Sequence, residues 1–130
     1  MNKQNGFTVI ELIVVTVLLF AAGGLFWSQK SDLEAANRDA QRKTTINALY
    51  YHLEEVYFTQ NKAYPQQLSR ETVPGVSPDL LKGPNGSALN STNGSIRYEP
   101  QNCNAGKCRG YVLRANLEQE ADFIKQSRNS

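Results

Sequence analysis

The chain has 130 residues, room for one small domain and one long helical feature. Fourteen Lys and Arg nearly cancel twelve Asp and Glu, so no strong field points to nucleic acid or to an anionic membrane surface. Two cysteines and one histidine cannot complete a tetrahedral zinc site, so neither a metal centre of that kind nor a cofactor is expected.

That near-neutral polarity averages two unlike regions. Phe7 to Trp27 reads FTVIELIVVTVLLFAAGGLFW, whereas everything after Ser28 is polar and rich in Asn, Gln and Ser. About 20 apolar residues at about 1.5 Å of rise match a hydrocarbon core of about 30 Å. A core helix in a soluble domain this small would not be apolar all round, so the segment is expected to span a membrane at some stage. A cleavable secretory signal competes with that reading. Lys3 would supply its charge and Phe20-Ala21-Ala22-Gly23-Gly24 its cut. Against it stands Glu11, an acid inside the apolar stretch. Such a charge costs about 2.5–3.5 kcal/mol at a helix centre and less near the end, a penalty from which a signal gains nothing. A residue that costs stability here is expected to have a partner.

Gly6 directly precedes the apolar run, in Asn5-Gly6-Phe7-Thr8-Val9-Ile10-Glu11. Here the chain resembles the type IV pilin and pseudopilin family. Members carry a class III leader peptide ending in glycine, then an aromatic residue, a glutamate at the fifth mature place and a long aliphatic helix. Gly6, Phe7, Thr8, Glu11 and Leu12 match that pattern, and Val9 stands where leucine is more usual. The resemblance implies that residues 1–6 are a leader, cut between Gly6 and Phe7 by a prepilin leader peptidase and methyltransferase that N-methylates Phe7. It implies the α+β pilin fold, a long N-terminal helix, apolar in its first half, packed on a small antiparallel β-sheet head. The implied partners are further copies of the chain and related pilins, that peptidase, the membrane platform of the assembly machine, and lipid before assembly. The implied function is that of a structural subunit of a type IV pilus, not of an enzyme. Such a subunit is held by a single pass in the cytoplasmic membrane with its head outside, then moved into an extracellular or periplasmic filament. The alternative is a pseudopilin of a type II secretion or DNA-uptake filament, which shares the motif. Major pseudopilins often hold calcium in acidic loops, and the corresponding stretch here offers Glu71 and Asp79 without a dense cluster.

The chemistry of Glu11 follows from the cut. Cleavage makes an α-amine of pKa about 7.7–8.0, largely cationic at neutral pH. Glu11 lies about 6 Å of helical rise from Phe7, so a staggered neighbouring helix brings its amine to this carboxylate. A well-formed pair recovers much of the cost of a charge in low dielectric, which rewards correct register during assembly. The competing reading is that Glu11 only snorkels to the headgroups. Charge counting opposes an external head, because Lys3 alone precedes the span while Lys30, Arg38, Arg42 and Lys43 follow it. The leader site and the expected disulfide require the external head, and they are preferred.

Beyond Trp27 an amphipathic pattern continues through Leu33, Ala36, Ala40, Ile46, Leu49, Tyr50, Leu53, Val56 and Tyr57, with no proline before Pro65. One helix is expected from Phe7 to about Phe58. Residues 7–28 form the span and later filament core, 29–60 the amphipathic continuation, and 61–130 the head. Gly23 and Gly24, each costing up to about 1 kcal/mol against alanine, are expected to supply a flexible point. Asn61 to Gly94 is rich in turn signals, with a short helical piece at Pro78 to Lys82, and Asn85 to Ser95 is expected to be exposed. Strands are expected at Ser95–Glu99 and Gly110–Glu118. Between them Cys103 and Cys108 flank a hairpin tip and read as a disulfide, which implies an oxidising compartment; two reduced thiols are the alternative. Gln119 to Ser130 reads as a short helix or tail. No nucleophile and base are placed together, and His52 reads as a partly exposed stem residue. Family members can bind DNA, and weak binding here would use Arg97, Lys107, Arg109 and Arg114, with Tyr98 and Tyr111 stacking on bases. The near-zero net charge favours the alternative, a solvated face with both tyrosines packed on the helix.

Overall fold

The computed structural model describes residues 7–129. Gly6 and the rest of the expected leader lie outside the described residues, as does Ser130. The chain forms two compact units, Met1–Ala35 and Ala36–Ser130.

Helix α1 runs over Val9–Tyr51, continues as a π-helical turn at His52–Tyr57, and ends as α2 at Phe58–Asn61. Gly23 and Gly24 both lie inside α1, and a Cβ added at either would meet nothing within 4 Å. Lys62 stops the helix by turning left-handed at φ 54°, and its N–H donates to Phe58 O at 2.8 Å.

The Ala36–Ser130 unit is α+β. Its sheet contains β1 (Tyr64–Pro65), β2 (Ile96–Asn104), β3 (Lys107–Ala115) and β4 (Phe123–Gln126), all antiparallel. Strand β3 is central, with β2 along one side and β1 and β4 sharing the other. The β2–β3 hairpin holds one register from Ile96↔Ala115 to Asn104↔Lys107. Ala105 and Gly106 form its tip with φ of 49° and 79°, the double positive φ of a tight primed turn. The outer edge of β2 is partly closed by a side chain. Tyr98 N donates to Asn90 Oδ1 at 2.7 Å and Asn90 Nδ2 donates to Tyr98 O at 3.1 Å, an amide copying a neighbouring strand.

Ile46, Leu49 and Leu53 of the stem pack against Tyr64, Ile96, Tyr98, Cys108, Tyr111, Leu113 and Ala115 of the sheet, with Val73 and Val76 closing one side. The fold class is thus the one expected from the sequence, a long apolar N-terminal helix whose later part carries a small antiparallel sheet. Three details differ. The final residues are not a helix or plain tail, because Phe123–Gln126 pairs with β3 and Ser127 N donates to Tyr111 O at 3.1 Å. Leu89, within the expected exposed loop, packs on the core. The buried stem stripe is not extended upward by Leu33, Ala36 and Ala40, which are exposed, but by Asp39 and Arg42. Asp39, Arg42, Ile46, Leu49 and Leu53 keep the three- and four-residue steps of one helix face.

Candidate functional site

The helix start is built by Thr8 and Glu11. Glu11 N donates to Thr8 Oγ1 at 3.3 Å, while Thr8 N reaches back to Glu11 Oε2 at 3.5 Å, and Leu12 N donates to Thr8 O at 3.1 Å. This reciprocal pairing is a capping box, which satisfies helix-end N–H groups that have no intrahelical acceptor. Glu11 therefore stands in the first turn and not mid-helix, where the positive end of the helix dipole favours an acid. The sequence carried the signal, Thr-x-x-Glu ahead of an apolar run, but a reading centred on an unpartnered acid passes over it.

From Phe7 to Trp27 the large apolar side chains stand open; Phe7 and Trp27 are about four-fifths exposed, at 79% and 81%. The most apolar window of this helix is 0% buried by the chain itself. One helix near the N-terminus is thus long and apolar enough to cross a membrane. A contiguous exposed apolar surface of this size is the mark of an interaction surface.

In the Ala36–Ser130 unit two buried carboxylates tie strands and loops to the stem. The first is Asp39, 3% exposed. It accepts N–H bonds from Glu118 at 2.9 Å, from Gln119 at 3.0 Å and from Arg42 Nη1 at 2.6 Å. Arg42 Nη2 also meets Glu118 at 2.8 Å, and Arg38 grips Glu118 with two bonds of 2.9 and 2.6 Å. Burial pushes the Asp39 carboxyl upward, but the Glu118 and Gln119 amides and Arg42 outweigh it and hold it below its ordinary value. Arg38 and Arg42 pull Glu118 down to about 2. Lys43 pairs with Glu120 at 2.6 Å. Three of the four cations that trouble the orientation count therefore have a folding role.

The second carboxylate is Glu54, 6% exposed, in the π-helical turn. The wider turn lets adjacent Leu53 and Glu54 both face inward. Tyr64 Oη donates to both Glu54 oxygens at 3.0 and 3.1 Å, Tyr111 Oη to Oε1 at 2.9 Å, and Arg128 N to Oε1 at 3.2 Å. Tyr98 Oη donates to Pro65 O at 2.6 Å. Burial first, then the Glu54 bond and charge, pushes the Tyr111 phenol far up, and burial does the same for Tyr98. These hydroxyls are permanent donors that hold the head together. Tyr98 and Tyr111, at 2% and 0% exposure, are not available to stack on bases.

Cys103 and Cys108 form a disulfide across the hairpin, where they are register partners. His52 is half-buried, its imidazole pKa lowered by burial, and it lines a shallow cleft with Glu71. Among the described residues no group of three or more His, Cys, Asp or Glu is placed to hold a metal ion. Arg114 is drawn to Asp122 at 3.5 Å and Glu99 at 3.8 Å, whereas Lys107 and Arg109 stand exposed at the hairpin tip. Comparison with protein-family models, curated proteins and solved structures gave no match.

Proposed function

We propose that this chain is a filament-forming membrane subunit, a type IV prepilin, that polymerises through its N-terminal helix after loss of a short leader. One observation carries the reading: a helix apolar on every side and unburied by its own chain, opened by the Thr8–Glu11 box directly behind Gly6-Phe7. Lipid covers that surface before assembly and neighbouring helices cover it afterwards, while the head keeps its own core. In this reading the subunit sits in the cytoplasmic membrane with its head outside. A leader peptidase cuts after Gly6 and methylates Phe7, and the membrane platform extracts the subunit into the fibre beside copies and related pilins.

Glu11 then has two tasks that chemistry can separate. As a cap it needs only an acceptor; as a register device it needs a negative charge to meet the amine of an adjacent Phe7. Gln is also found at this place in capping boxes, so Glu11→Gln keeps the cap and removes the charge. Cells producing only Glu11→Gln should process the protein and hold it in the membrane, yet incorporate it into fibres at least about tenfold less, a loss on the order of 1.4 kcal/mol in docking. Thr8→Ala, which weakens the cap and spares the charge, should assemble. Fibre yield of Glu11→Gln equal to that of the parent chain, measured by shearing and quantifying filaments, sinks the register role.

A further inference from the structure

We infer that the cleft beside the disulfide hairpin binds an acidic saccharide, a carboxylate-bearing sugar chain. The cleft, about 540 Å³, lies between the end of the stem helix and the β2–β3 tip. That size falls within the range of sites for small ligands. Lys62 comes from the helix end, and Lys107 and Arg109 from β3. Among the described residues no carboxylate lines the cleft. Elsewhere on this unit Arg38, Arg42, Lys43, Arg114 and Arg128 bond acids and Lys125 lies over the Tyr50 ring, while Arg70, Lys82 and Arg97 have no acid partner among the described residues and line no part of this cleft. Among the described residues Lys62, Lys107 and Arg109 have no such partner. The dipole at a helix C-terminus explains one cation there, Lys62, but not two more from the facing hairpin.

The remaining lining decides the ligand class. Asn102, Asn104 and Asn129 offer amide donors and acceptors of the kind that meet sugar hydroxyls. Phe58 and Cys108 add apolar surface. A single-stranded nucleic acid site needs a track of exposed aromatic faces, and Tyr98 and Tyr111 are in the core.

The test uses the full chain in nonionic detergent, so it does not depend on polymerisation or on the filament reading. Calorimetric titration compares a short oligouronate, its neutral hexose counterpart, and an oligothymidylate of equal charge. The oligouronate should bind saturably, at least about tenfold tighter than the neutral sugar, because charge-assisted bonds are lost with the carboxylates. Lys107→Gln with Arg109→Gln should weaken it about tenfold at an unchanged unfolding midpoint, while Lys82→Gln with Arg97→Gln should leave it unchanged. Lys62→Gln alone should also weaken it, which gives a second reading if the double variant is unstable. Equal affinity for the neutral sugar, tighter binding of the oligothymidylate, equal loss in the control pair, or no saturable binding by the parent chain would each overturn the assignment.

Discussion

Asp39 and Arg42 occupy stem positions where a helix of this kind ordinarily buries aliphatic side chains. Asp39 is satisfied by two backbone amides and a guanidinium, so its charge is stable only while Glu118 and Gln119 are docked. Truncation would leave Arg42, 4% exposed and already with an unpartnered Nε, without its closest anion. Breaking a buried pair from one side costs roughly 3–5 kcal/mol, and Asp39→Ala should lose about that much in urea unfolding of the head. A loss below about 1 kcal/mol would mean that the pair is incidental. The sequence hid this site for a simple reason. Hydrophobic periodicity counts apolar letters, so it fills the pattern with Ala36 and Ala40, while the true face runs through two charged residues whose partners lie some 80 positions away. Glu11 shows the opposite case. Its box is local, within four residues, and could be read directly.

At the scale of elements, the Arg38–Arg42–Asp39–Glu118 cluster joins the stem to the loop between β3 and β4. Both carboxyls have folded-state pKa values below their ordinary ones, Glu118 at about 2 against 4.5. The unfolded chain therefore takes up protons first as pH falls. The stabilisation is fully present above the ordinary carboxylate values and is lost as pH drops through the folded ones. The urea midpoint of the head should hold steady down to about pH 5, then fall towards pH 2, and Glu118→Gln should flatten part of that fall. A parent chain with no such decline would contradict the cluster. The long helix and the hairpin were legible because each rests on a strong local signal: an unbroken apolar run, and alternation either side of a Cys-Asn-Ala-Gly-Lys-Cys tip. Strand β4 was not, since its four residues gain their order from β3 and from Ser127 against Tyr111. The π-helical turn left no signal either, because it exists to aim Glu54 at two distant tyrosines.

Over the whole molecule, two regions meet opposite requirements. The Ala36–Ser130 unit has its own core, a disulfide and internally paired charge, as a domain exposed to water needs. The N-terminal apolar helix buries nothing within its own chain. Such a division suits a subunit whose stability as a monomer and whose assembly are governed by different surfaces. In the proposed function the key event is a cut that exposes an amine one helical turn from Glu11. Intact-mass and N-terminal peptide spectrometry of the protein from sheared filaments, or from membranes, reads that event directly. A chain beginning at Phe7 and heavier by one methyl group is the predicted result. A chain still beginning at Met1, or one shortened past Ala22, would contradict the account.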